Sequence, residues 1–414
     1  MKLHHLYAET MAQTISILLS FLVTLMACSH QGSLHTDSWE EVYRQGEAAN
    51  YKGRYQDAER HFLQALKLAQ DFGADDLRLP KTLNSLGALA GKQGKYQIAQ
   101  QHFEQALVIY HRVLGPNSIE VGKTENRLGH VLLDQGRPRE SESHYMRSLQ
   151  ILSLAYGTED AQVGPVLLNL GTLYFHMNRV AEAEDYLKQT LALWEKTEGA
   201  EGPDLPWALG NLGALYLSQK RLAEADPLIR RAYEIARKTM GEDHPETNDR
   251  LALLAGLALM QKQPSDADTM FKRVAASQER TYGSQHPVLA STLNNRGLAL
   301  MEMGKHADAE EQFRRALQIY EENYGPNSSD ASDVMVPLAG AVSKQGRPIE
   351  AEALYKRAIT IAETAYGSDH PQLAAALEHY ASFLQNQNRA GEAETVANRA
   401  QTIRVRNMPG RSTS

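Results

Sequence analysis

Glycine stands at positions 73, 115, 157, 199, 241, 283, 325 and 367, eight times at intervals of 42 with no insertion or deletion. A spacing that strict points to one kind of architecture: a small unit copied many times, each copy stacked on the last. Two further columns keep the same register. Small residues recur at Gly46, Gly87, Gly129, Gly171, Gly213, Ala255, Gly297, Ala339 and Ala381. They recur again at Ala58, Ala99, Ser141, Ala183, Ala225, Ala267, Ala309, Ala351 and Ala393. The first step in both columns is 41, so the first copy is one residue short. A chain of 414 residues would otherwise suggest two or three globular domains; the repeat turns them into one array of nine units.

Inside a unit the apolar period is helical. Tyr96, Ala99, Phe103, Ala106, Tyr110 and Val113 step by three or four, as do Leu83, Leu86, Gly87 and Ala90 in the segment before. Between the two stripes lies a turn column of Gly53, Gly94, Gly136, Asn178, Lys220, Lys262, Gly304, Gly346 and Asn388. Gly and Asn are the residues that accept the left-handed conformation ending a helix. Each unit therefore reads helix, tight turn, helix, loop. The small columns let the two helices approach, and a large residue such as Phe62, Phe103, Tyr145, Phe271, Phe313 or Tyr355 fills the space between them.

The loop reads Gly-x-x-His-Pro in three copies, at Gly241–Pro245, Gly283–Pro287 and Gly367–Pro371. Gly stops one helix and Pro preorganises the next. With second-helix motifs such as Ala309-Glu310-Glu311-Gln312-Phe313 and Ala351-Glu352-Ala353-Leu354-Tyr355, this resembles the tetratricopeptide repeat of the 42-residue kinesin light chain type over about residues 38–406. The resemblance implies an all-α, right-handed superhelical solenoid of about nine helix-turn-helix repeats, with first helices lining the concave side. The last helix, Gly391 to Arg406, reads as a polar cap, and 407–414 as a flexible tail. Pro337, inside a first helix expected over Asp333 to Lys344, should kink it or mark its first turn.

Little is left for catalysis. Gly122-Lys123-Thr124 resembles the end of a phosphate loop, but position 117 is Asn and no strand precedes it. His244, His286 and His370 stand a repeat or more apart, too far for one metal, and are expected to cap the helices that follow. Glu310/Arg314 and Glu311/Arg315 have the spacing of solvated ion pairs along a helix. The net charge of −7 argues against nucleic acid held by bulk charge. No enzyme activity, cofactor, metal or small-molecule substrate is expected.

The N-terminus follows other rules. Ile15 to Met26 is a twelve-residue run without a charge, too short to span a bilayer as a helix, which takes about 20 residues. It suits the core of a signal peptide. The run closes on Leu25-Met26-Ala27-Cys28, containing the only cysteine of the chain, and resembles the lipobox of bacterial lipoproteins. That resemblance implies cleavage before Cys28, lipidation of its thiol, a signal peptide over 1–27 and a tether over 28–37 reaching at most about 30 Å. Ser29 in place of Asp leans toward the outer membrane. A soluble exported form, an uncleaved anchor and a chance apolar segment stay open.

Kinesin light chain repeats hold an extended peptide with asparagines on the first helices. The matching residues are Asn169, Asn211 and Asn295, with Arg127 one unit earlier, and the neighbouring column adds Asn84, Asn126 and Asn294. Amides suit a peptide backbone because they both donate and accept; the alternative is that they satisfy local groups. Leu253, Pro337 and His379 break the ladder in later repeats. Lys123 and Arg127, one turn apart, resemble part of a carboxylate clamp, though Tyr43 and Glu47 do not complete it. The expectation is a membrane-anchored, non-enzymatic scaffold binding a peptide segment or protein partner. The alternatives are an envelope or secretion assembly subunit working through convex or end surfaces, and a soluble cytoplasmic adaptor.

Overall fold

The computed structural model describes residues 38–407, and every regular element among them is helical. First helices are α1 (38–51), α3 (Arg78–Lys92), α5 (Ile119–Asp134), α7 (Gly164–His176), α9 (Leu205–Ser218), α11 (Pro245–Met260), α13 (Pro287–Glu302), α15 (Ser329–Lys344) and α17 (Pro371–Asn386). Second helices are α2 (Tyr55–Gln70), α4 (Tyr96–Leu114), α6 (Pro138–Tyr156), α8 (Val180–Glu198), α10 (Leu222–Met240), α12 (Pro264–Tyr282), α14 (His306–Tyr324), α16 (Pro348–Tyr366) and α18 (Ala390–Arg406). They form two compact units, 38–155 and 156–407.

The punctuation explains the lengths. Each of the eight glycines of the 42-residue column takes φ between +81° and +103°, where L side chains are strained, and at all but Gly73 the second helix stops there. Seven second helices are consequently 19 residues long. The turn column is left-handed too, and Lys220 and Lys262 adopt it at φ 60° and 63° despite their side chains. First helices start on caps: Nδ1 of His244, His286 and His370 accepts the backbone N–H of Glu246, Val288 and Gln372 at 3.2–3.3 Å.

Two expectations need correction. Helix α15 begins at Ser329, not Asp333, because Ser328 Oγ accepts from the Ala331 N–H at 3.3 Å and starts the helix one turn early. Pro337 then lies mid-helix, and the helix runs through it. Arg315 pairs with Glu279 at 2.6 Å, not with Glu311, since adjacent second helices lie side by side and bring Glu279 within reach. Arg231–Glu195, Arg357–Glu321 and Arg399–Glu363 repeat that staple.

Between the helices of a pair, small residues meet large ones. In the first unit Gly87 lies against Phe103 and Gly129 against Tyr145; in the second, Gly171 lies against Leu187, Gly213 against Ile229 and Gly297 against Phe313. All five partners are fully buried, each such side chain contributing about 1.5–3 kcal/mol of hydrophobic stabilisation. First helices also pack on one another from pair to pair, α3 on α5 in the first unit and α7 through α17 in succession in the second. Within each unit this brings their outward-turned residues close along one face.

Candidate functional site

On that face the first unit gathers cations and aromatic rings. Trp39 and Tyr43 of α1 stack at 4.8 Å, and the Lys81 ammonium of α3 sits 4.6 Å from the Tyr43 ring centroid. The Tyr43 hydroxyl bonds Ser85 Oγ at 2.7 Å, and burial pushes its pKa up to about 12. Arg127 of α5 lies beside Tyr43 and Tyr110. The residue is exposed, yet surrounding protein desolvates its charge enough to lower its pKa. Among the described residues no carboxylate pairs with it. Lys123 stands one turn before it, half-buried.

The asparagines divide by how their amides are used. Asn84 is buried and donates to Thr124 Oγ1 of α5 at 2.8 Å, while its Oδ1 is sealed without a hydrogen bond. Asn211 of α9 donates to Thr172 Oγ1 of α7 at 2.9 Å. Both spend a donor tying neighbouring first helices together. Asn126 on α5 and Asn169 on α7 are half-buried, as are Asn294 and Asn295 on α13. Asn294 Oδ1 is buried and accepts no hydrogen bond. Cys28 and the 28–37 segment lie outside the described residues.

One column escaped the reading from sequence. Lys81 and Lys123 continue at 42-residue steps as Pro165, Trp207, Asp249, Ser291, Asp333 and Ala375. It is basic in the first unit and carries two acids in the second. Asp333 borders a cavity of about 410 Å³ between α13, α15 and α17. The loss of the asparagine ladder at Pro337 and His379 was its visible trace.

The tetratricopeptide repeat profile matches the chain in eight overlapping windows, from 40–112 to 330–404. None of the curated proteins matches it. Among solved structures it is similar to a Rap protein complexed with competence and sporulation factor, 13% identical, with a TM-score of 0.54 over 89% of this chain and 99% of that one. It is also similar to the apo form of the quorum sensor NprR from B. thuringiensis, 16% identical, with a TM-score of 0.50 over 76% and 98%. The kinesin light chain-like repeats of a Podosopora anserina protein are 22% identical over 49% of this chain and 96% of that one, with a TM-score of 0.43. The likenesses to the Rap protein and to NprR show the fold. With the profile covering residues 40–404 and the helix pairs in the same frame, the chain belongs to the tetratricopeptide repeat family.

Proposed function

We propose that this protein is a non-enzymatic, membrane-anchored scaffold that binds an extended peptide segment of a partner protein on the face of its first helices. The observation that carries the reading is Arg127. Arg127 is exposed and pairs with no described carboxylate, so an arriving carboxylate gains a charge-assisted, bidentate partner. Lys123 one turn before it and Lys81 on the adjacent first helix α3 carry the same charge, so the first unit favours an acidic segment. Half-buried Asn126 on the same helix is the proposed contact for its backbone. A Rap protein of the same fold has been solved in complex with competence and sporulation factor.

The test uses a labelled acidic peptide, GSLELELSG, and fluorescence anisotropy on the full chain. Arg127→Glu should weaken binding at least about tenfold, since a hydrogen-bonded charge contributes about 1.5–3 kcal/mol. Unchanged affinity removes Arg127 from the site. Anchoring is tested separately. Cys28→Ser should move the protein from the membrane fraction to the soluble one and abolish its lipid adduct by mass spectrometry; a native chain with an unmodified Cys28 sinks this part.

A second reading has its own support. Leu63, Val108, Met146 and Leu154 are exposed on α2, α4 and α6, apolar groups that suit an assembly subunit docking through its second helices. Partner capture that survives Arg127→Glu and is lost in Val108→Glu/Leu154→Glu would favour it.

A further inference from the structure

The cavity between α13, α15 and α17 combines an apolar wall with a polar rim of Asn294, Ser332, Asp333, Tyr355, Gln372 and His379. Leu298, Met301, Val336 and Ala375 supply the wall. Its volume of about 410 Å³ lies within the roughly 300–1,000 Å³ of pockets that take ligands, and it is larger than one side chain. Two of its polar groups are acceptors without a described partner. Asn294 Oδ1 is buried and accepts no hydrogen bond. The Asp333 carboxylate has no ion pair or hydrogen bond among the described residues. A carboxylate that solvent reaches and a sealed amide oxygen, neither with a described partner, favour a donor that carries positive charge.

We propose that this cavity binds a lysine or arginine side chain of a peptide segment, together with an apolar neighbouring residue. The inference rests on the reading that first helices bind peptides and adds a site and a charge preference to it. A basic side chain matches both halves of the cavity: its methylenes lie along Leu298 and Met301 while its charged end meets Asp333 and Asn294. The ladder break at Pro337 is then what creates the site.

Acid should release the ligand. Burial, and then the charge of Asp330, raise Asp333 to about 6. As pH falls through that value the carboxylate takes a proton and the cation loses its partner. The other groups facing Asp333 do not reverse this sign. Tyr320 of α14 and Tyr366 of α16, both shifted up by burial, stay neutral. His379 of α17 lines the cavity as well. Arg296 of α13 is turned to Asp268 at 2.7 Å.

The experiment measures anisotropy of labelled GSLKLKLSG and GSLELELSG on the full chain, with Asp333→Asn and Gly340→Leu. Gly340 lines the cavity, and a Cβ there meets only Tyr355 Oη at 3.6 Å and Met301 Cε at 4.0 Å, so leucine plugs the space without breaking the helix. The lysine peptide should bind, weaken at least about tenfold in Asp333→Asn, and be lost in Gly340→Leu. Its wild-type binding should also weaken between pH 7.5 and 5. Circular dichroism checks that both variants keep their helices. Lysine-peptide affinity unchanged in either variant overturns the proposal. So does binding of the glutamate peptide alone, with Arg127 dependence, and in that case the peptide-binding reading stands. If neither peptide binds, that reading falls with it.

Discussion

Gly297→Ala should destabilise the protein by about 1–3 kcal/mol, and Gly297→Val by more. Helix propensity predicts the opposite sign, since alanine in a helix is better than glycine by about 1 kcal/mol. Packing decides against it. A Cβ at Gly297 would lie 2.5 Å from Phe313 Cε1 and 2.8 Å from Cδ1, and that ring has no exposed surface and nowhere to turn. The same column holds alanine at Ala255 and Ala339, opposite Phe271 and Tyr355, so the architecture can house one methyl where the helices were built around it. At Gly297 they were not. Gly256→Ala is the control, because its nearest contact would be Leu217 Cδ2 at 3.9 Å; it should stabilise by about 0.4–1 kcal/mol. Urea denaturation followed by circular dichroism reads both. A neutral Gly297→Ala would mean that Phe313 can shift, and a Gly297→Ala/Phe313→Leu cycle would then show no coupling.

The same column shows why so much of the fold is legible in the sequence. A stacked helix pair repeats its packing problem every 42 residues, so Gly297 and Phe313 are read together with their counterparts Gly87 and Phe103. Loop caps are legible for the same reason. What was missed lies where a position answers to something outside its own copy. The α15 start depended on Ser328, a cap with no His-Pro beside it. Arg315 depended on Glu279 in the preceding second helix, 36 residues away. Arg221 pairs with Glu224 three residues on and with Glu184 at 2.9 Å in the helix before, as Arg389 does with Glu392 and Glu352. Arg-x-x-Glu in frame was visible, but its cross-helix partner was not. Candidate site residues were harder still. The asparagine columns placed Asn84 and Asn211 on the right helices, yet a column cannot say whether an amide faces a ligand or a threonine next door. Asp333 read only as the start of a helix, because acids in a mixed column have no pattern until a cavity borders one of them.

Arg250→Met should raise stability, by about 1–4 kcal/mol. Arg250 occupies the column of Thr82, Thr124 and Thr292, where Thr82 and Thr124 accept hydrogen bonds from Trp39 and Asn84. The arginine instead reaches back from α11 over α9. Its guanidinium lies 4.7 Å from the Trp207 ring centroid, and Nη1 donates to the Pro206 carbonyl at 3.3 Å. It is 8% exposed and makes no ion pair among the described residues. Desolvation lowers its pKa, with Asp249 and Glu246 opposing only at a distance. One long hydrogen bond and a ring face are modest return for a buried cation with five N–H donors. Methionine keeps the stem's packing and removes the charge; alanine would also remove the packing and leave a cavity. Gly210 supplies the check. A Cβ there would sit 2.1 Å from Arg250 Nη1, so Gly210→Ala must expel the guanidinium from its place. It should destabilise the native chain and cost little in the Arg250→Met background, a coupling of about 0.5–3 kcal/mol in a double-mutant cycle. A destabilising Arg250→Met with additive Gly210→Ala would show instead that the cation is a net tie between α9 and α11. Inorganic phosphate separates a third case: an anion that raises the melting temperature of the native chain and not of Arg250→Met would mean the guanidinium is kept for a ligand.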